Sequence, residues 1–193
     1  MKYSNVRIAG SLLFVGSVQC VLGIIISEAL YPGYSTSIQT ISSLGVGPSA
    51  LIFNSSLLLI GALGLAGTYF VHRAFKFNIF TFLLGLTHIG AMGVGLFTEA
   101  TSTFTIHSIF SVITYLFGGI SAIMSHKLEK QPLSGLSIML GVFSLLALVL
   151  VGAETYLGLG LGGMERMVAY PLLLWEVGFG SQLVSYSSEI PNS

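Results

Sequence analysis

Long apolar stretches alternate along the chain with short polar or turn-rich breaks, and the alternation predicts six helices, at about 7–30, 50–71, 78–97, 105–125, 134–158 and 167–187. Each stretch supplies the roughly 20 apolar residues needed to cross about 30 Å of hydrocarbon at about 1.5 Å per residue. The first, although preceded by Lys2 and Arg7 and carrying a small-x-small Ser27-Glu28-Ala29, is too long for a secretory h-region and reads as an uncleaved span. The longest break, residues 31–49, is rich in Ser, Thr, Gly and Pro; it must run outside the membrane or along its outer interface, where it forms a natural lid. With no soluble domain, linker or internal repeat in view, residues 1–193 read as one all-α transmembrane domain, a six-helix bundle.

Small residues refine the elements. Gly61, Gly64 and Gly67 punctuate the second span and Gly85, Gly90, Gly93 and Gly95 the third, which places both inside a compact bundle where backbones approach closely. Gly158, Gly160, Gly162 and Gly163 read as a turn after the fifth span, and Pro171 as a residue of the first turns of the sixth, where its missing N–H costs little.

Composition agrees with a lipid solvent: 53% of the 193 residues are hydrophobic and 7% charged, with a mean hydropathy of +0.91. Seven basic residues balance seven acidic ones, all Glu, so neither a nucleic-acid face nor an acidic tail is present. Position is more telling than sum. Lys2, Arg7, His72, Arg73, Lys76, His126, Lys127 and Lys130 fall at one set of helix ends and Arg166 alone at the other, which puts both termini of a multi-pass cell-membrane protein in the cytoplasm. The lone Cys20, inside the first span, reads as a packing residue.

Polar residues at membrane depth are expensive and usually face a bundle interior or a water-filled cavity. Glu28 tops the first span, Asn54 lies about one turn down the second, His107 near the top of the fourth, and Glu154 about one turn below the end of the fifth. Glu165, Arg166 and Tyr170 lie at or just above this layer, as does Glu99, while His88 and Glu176 are about halfway across. Individually these residues fit interhelical hydrogen bonding or interfacial anchoring. As a set they fit the lining of an outward-facing cavity. Glu176 stands apart: a carboxyl at mid-membrane is expected to be protonated or hydrogen-bonded, and either makes a proton-linked step conceivable or holds two helices together.

Three chemistries are weighed on these residues. His107, Glu154 and Glu165 are candidate ligands for a divalent metal that would activate water on a lipid, although no H-x-x-x-H, H-E-x-x-H or D-x-x-D spacing is present. Haem between His88 and His107 is disfavoured by an axial mismatch of very roughly 8 Å. Serine chemistry is not supported, because Ser108 cannot share a helix face with His107 and no G-x-S-x-G occurs.

Ser42-Ser43-Leu44-Gly45, the Phe-Asn-Ser at residues 53–55, Phe97 followed by His107, and Gly-Gly-Met-Glu-Arg-Met at residues 162–167 together resemble the prokaryotic domain-of-unknown-function 998 proteins. Those six-helix proteins are in turn distantly similar to the Frag1, DRAM and Sfk1-like families, several of which are tied to lipid handling or membrane homeostasis. Ser43 departs from the acidic residue that often precedes the Leu-Gly in that family, so a role resting on that acid does not carry over. The resemblance tilts the functional expectation toward membrane lipids: binding or handling a lipid head group or small amphiphile in the polar cavity. The alternatives are a small structural subunit of a larger membrane complex, which predicts a polar layer paired internally, and a metal-assisted intramembrane hydrolase. A transporter is less favoured, because six helices without a clear repeat or two interrupted spans lack its usual pointers, although a homodimer could supply the missing half; a homo-oligomer or a membrane-complex partner is the partner expected besides membrane lipids, and whether the chain is an enzyme is left open.

Overall fold

The computed structural model describes residues 2–99 and 104–186, with the side chains of Lys2, Tyr3 and Phe104 outside that description. Six helices follow one another up and down: α1 (Lys2–Ala29), α2 (Ala50–Phe75), α3 (Asn78–Leu96), α4 (Phe104–Ser125), α5 (Leu133–Gly152) and α6 (Gly160–Val184). A short 3-10 turn, Ser42–Gly45, interrupts the α1–α2 loop. All six are long and apolar enough to span a bilayer. Even the shortest, the 19 residues of α3, is about 28 Å long at a rise of about 1.5 Å.

Each helix packs on the next, and α6 closes the ring on α1 while also touching α4. Glycine makes the close approaches possible. A Cβ at Gly10 would meet the Gly180 carbonyl at 2.5 Å, and one at Gly141 would meet that of Gly119 at 2.7 Å, so α1–α6 and α4–α5 pack backbone to backbone. Leu22, Leu51, Phe82 and Val149 are among the large apolar side chains on the outside, where a bilayer rather than water is their natural solvent.

The two ends of the bundle differ. One, here the terminal face, carries the start of α1, the end of α6 and the α2–α3 and α4–α5 turns. There α2 stops at Lys76 in the left-handed conformation (φ 56°), with the Lys76 N–H donating to the His72 carbonyl and with His72 and Arg73 in the last turn, where cations favour a helix C-terminus. The other, the loop face, carries the α1–α2 loop, the end of α3, the start of α4 and the α5–α6 turn. The half of the bundle near the terminal face is packed with aromatic rings, Phe80 edge-on to Phe179 at 5.8 Å and Trp175 stacked on Phe179 at 5.9 Å. Ile24, Ile41, Leu44, Phe53 and Ile60 fill the other half, with Tyr31, Tyr34, Tyr115 and Tyr170 packed against them.

Two boundaries correct the sequence reading. α5 ends at Gly152, six residues earlier than its apolar run suggests, because Glu154 (φ 52°), Leu157 (φ 48°), Gly158 (φ 81°) and Gly160 (φ 75°) turn left-handed in close succession. α6 starts at Gly160, seven residues earlier than expected. Its first turn packs on the α1–α2 loop: a Cβ at Gly160 or Gly162 would collide with the Ser37 or Gln39 carbonyl, and the Gly162 N–H donates to Ser37 O at 3.0 Å. These glycines thus seat a loop as well as making a turn. Pro171 consequently lies inside α6, not in its first turns, and leaves the Met167 carbonyl without its helical donor.

Candidate functional site

The loop face is built around Glu165 and Arg166 of α6, both buried. Arg166 donates to Glu28 Oε1 from Nε (3.2 Å) and Nη2 (2.6 Å), to Tyr34 Oη (2.7 Å), and through Nη1 to the carbonyls of Thr36 (2.8 Å), Gln39 (3.1 Å) and Gly162 (2.8 Å). The planar fork of a guanidinium suits this fan of acceptors, as an ammonium would not. Burial raises the Tyr34 hydroxyl above its usual value, against the pull of Arg166, so it keeps its proton and donates to Thr40 O at 2.6 Å. Glu165 accepts the Ile41 N–H (2.6 Å) and the Ser42 hydroxyl (3.0 Å). Adjacent residues of one helix therefore hold the loop backbone down, and Ile41, Ser42, Leu44 and Gly45 are buried as a result.

Deeper in the bundle, His88 of α3 meets Glu176 of α6. Nε2 lies 2.8 Å from Glu176 Oε1 and Nδ1 2.8 Å from the Leu84 carbonyl, and both side chains are buried. A carbonyl only accepts, so Nδ1 bears a hydrogen, and the Nε2–Oε1 contact requires one more proton between its two atoms. Gly64 of α2 makes room for the imidazole: a Cβ there would collide with the ring.

Between the loop-face ends of α4, α5 and α6, beneath Thr40 and Ser42, lies a cavity of about 410 Å³. Its polar side is formed by Glu99, His107, Ser108, Ser111, Tyr115 and Glu165, and its apolar side by Val112, Leu148, Val151, Leu161 and Val168. His107, Ser111 and Tyr115 recur every fourth residue on one face of α4. His107 Nδ1 lies 2.8 Å from Phe97 O and so donates to it, which leaves Nε2 of the neutral ring as an acceptor. That Nε2 is buried with no hydrogen-bond partner, Glu99 Oε1 being 4.0 Å away.

A second cavity, of about 80 Å³ and mostly apolar, lies deeper, among Cys20, Ile60, Ala91, Leu172 and their neighbours. His88 and Glu176 line it. Ser42 and Tyr115 line both cavities, and the Tyr115 hydroxyl is 3.5 Å from Glu165 Oε1.

The nine residues singled out from sequence thus separate. Glu28 and Arg166 pair with each other and His88 with Glu176, while Glu165 is taken up by the loop. Asn54 donates Nδ2 to Gly45 O at 3.0 Å and leaves its buried Oδ1 unpartnered. Tyr170 is half-buried against the cluster of Cys20 and Ile41. Glu154 is not one turn down α5 but exposed on the left-handed turn after it, because the helix stops short of it. That placement removes Glu154 from the candidate metal set, and among the described residues no three His, Cys, Asp or Glu side chains converge to hold a metal. Both ring nitrogens of His88 are engaged, so it offers no free nitrogen to haem iron. Tyr115 and Ser111 escaped the sequence reading, although their four-residue spacing from His107 was a usable signal.

A family model described as "Protein of unknown function (DUF998)" matches residues 14–182, most of the chain. The chain belongs to the DUF998 family. The matched span includes the lining of both cavities and the pairs Glu28–Arg166 and His88–Glu176. No curated protein and no solved structure matches the chain.

Proposed function

We propose that the larger cavity binds a small amphiphile, with a hydroxyl or ammonium of its head group donating to His107 Nε2 and its apolar part against Val112, Leu148, Val151 and Leu161. The observation that carries this reading is the orphaned Nε2. A buried acceptor left unsatisfied costs about 1–3 kcal/mol, and this one borders a space large enough for a ligand. Glu99, 29% exposed and 4.0 Å from His107, adds negative charge that favours a cationic or hydroxyl-rich head over a phosphate alone.

The charge distribution supports an outward-facing cavity. Arg7, Arg73, Lys76, Lys127 and Lys130 gather toward the terminal face, whereas Arg166, the cation of the loop face among the described residues, is neutralised by Glu28. In this reading both termini are cytoplasmic and the α1–α2 loop roofs the cavity from outside. A cysteine placed at exposed Gly33 tests it in intact cells: an impermeant thiol reagent should label it while buried Cys20 stays silent, and labelling only after cell lysis would reverse the orientation.

Native mass spectrometry of gently extracted protein tests the ligand. The expected result is a retained lipid-sized adduct whose occupancy falls about tenfold in His107→Leu, the loss of one hydrogen bond worth roughly 1.4 kcal/mol. Wild-type protein without an adduct, or equal retention in the variant, would count against the site. The internal pairing of Glu28 with Arg166 and of His88 with Glu176 favours a second reading, a structural subunit of a membrane complex. A partner-chain mass in the same spectrum would support it.

A further inference from the structure

The pair formed by His88 and Glu176 is not explained by amphiphile binding, which takes place in the other cavity. Two features make it more than a packing contact. First, its geometry needs a proton. With Nδ1 bonded to Leu84 O, removing the proton between Nε2 and Oε1 would leave a lone pair facing a carboxylate oxygen at 2.8 Å, which is repulsive. Second, the pair borders the smaller cavity, and among the described residues no lysine or arginine lines that space to stabilise a bare carboxylate.

We propose that Glu176 and His88 form a proton-binding site at mid-bundle, which exchanges its proton with the larger cavity past Tyr115 and Ser42. Loaded, the pair is neutral overall, either as imidazole and carboxylic acid or as imidazolium and carboxylate. Unloaded, the proton having passed to water in the cavity, it carries one negative charge and the bond linking α3 to α6 is lost. Those helices are not among the pairs with extensive contact, and this bond joins them together with the edge-on packing of Phe80 on Phe179.

The route has structural support. Glu165 and Glu176 are eleven residues apart on α6, close to three full turns, so they lie on one side of the helix and about 16 Å apart along it. The small cavity occupies part of that interval, and the hydroxyls of Thr87, Thr114 and Tyr115 are on its wall. Its volume of about 80 Å³ leaves room for water, and these residues with the pair itself supply the polar partners such water needs. The ionisable groups facing the pair from neighbouring helices are the Cys20 thiol of α1 and the Tyr115 phenol of α4; α2 presents Gly64.

Solid-state NMR of the full chain in phosphatidylethanolamine–phosphatidylglycerol bilayers tests the proposal. With histidine nitrogen and glutamate carboxyl carbon labelled, the His88 Nε2 and Glu176 carboxyl signals should shift together over one pH interval. In Glu176→Gln the side-chain amide can donate to Nε2 in place of the proton, so the fold is retained and the joint transition should vanish. Tyr115→Phe should leave the transition in place and slow hydrogen–deuterium exchange of the shared proton severalfold. Signals in the wild type that do not move with pH, or that move independently of each other, would overturn the proton site. Unchanged exchange in Tyr115→Phe would overturn the route. The same pH series in His107→Leu, which lacks the acceptor proposed for the amphiphile, should give the same joint transition, so the proton site and the amphiphile site fail separately.

Discussion

Arg166 illustrates how much one side chain can hold at the end of a helix bundle. Its guanidinium joins α1 through Glu28, joins the loop through two carbonyls and the Tyr34 hydroxyl, and returns to its own helix through Gly162 O. Arg166→Lys keeps the charge but cannot reach acceptors in several directions at once, and it leaves buried carbonyls unpartnered. We expect it to lower stability by on the order of 2 kcal/mol, read as a fall in the thermal midpoint in detergent; an unchanged midpoint would show that the fan is not structural. The sequence marked Arg166, Glu28 and Glu165 as residues out of place in lipid, because charge at that depth has few acceptable surroundings. It could not tell a lining from a latch. Which carbonyls an arginine reaches depends on the path of a loop that has no periodicity to read.

Helices were legible where hydropathy and polar breaks coincide and misread where they do not. Between Val151 and Leu161 apolar residues continue without a charge except Glu154, yet the backbone turns, since left-handed residues and glycine override hydropathy. The α4–α5 connection shows the converse, a charged residue drawn inward. Glu129 accepts hydrogen bonds from Ser125 (3.0 Å) and Ser137 (2.8 Å), and Ser125 accepts in turn from Trp175 Nε1 (2.9 Å), so the turn is stitched to α4, α5 and α6. Burial raises the Glu129 carboxyl above its ordinary 4.5, with both serine bonds and His126 opposing. A carboxyl raised in the folded state contributes stability that is complete below its unfolded value and is lost as pH rises through the folded one. Thermal unfolding followed by Trp175 fluorescence should therefore show stability declining as pH rises above the usual carboxylate range, and a shallower decline in Glu129→Gln. Identical slopes would show that Glu129 is already solvated in the native state.

At the scale of the molecule, six helices could be counted from the sequence because lipid imposes a length and a composition on each. The cavities could not, because they are spaces between helices and depend on the rotation of each rod about its axis. The same limit hid the pairing of His88 with Glu176, 88 residues apart, although each was conspicuous alone. Pro171 gives this arrangement a mechanical character. It separates an upper segment of α6, fastened to the roof of the larger cavity by Glu165 and Arg166, from a lower segment that carries Trp175, Glu176 and Phe179 in the aromatic core. With one rung missing from the hydrogen-bond ladder at that point, α6 is a jointed lever, anchored below by stacked rings and gripped above by a loop. A force that lifted the roof would bend α6 first at Pro171, where its backbone lacks a hydrogen bond.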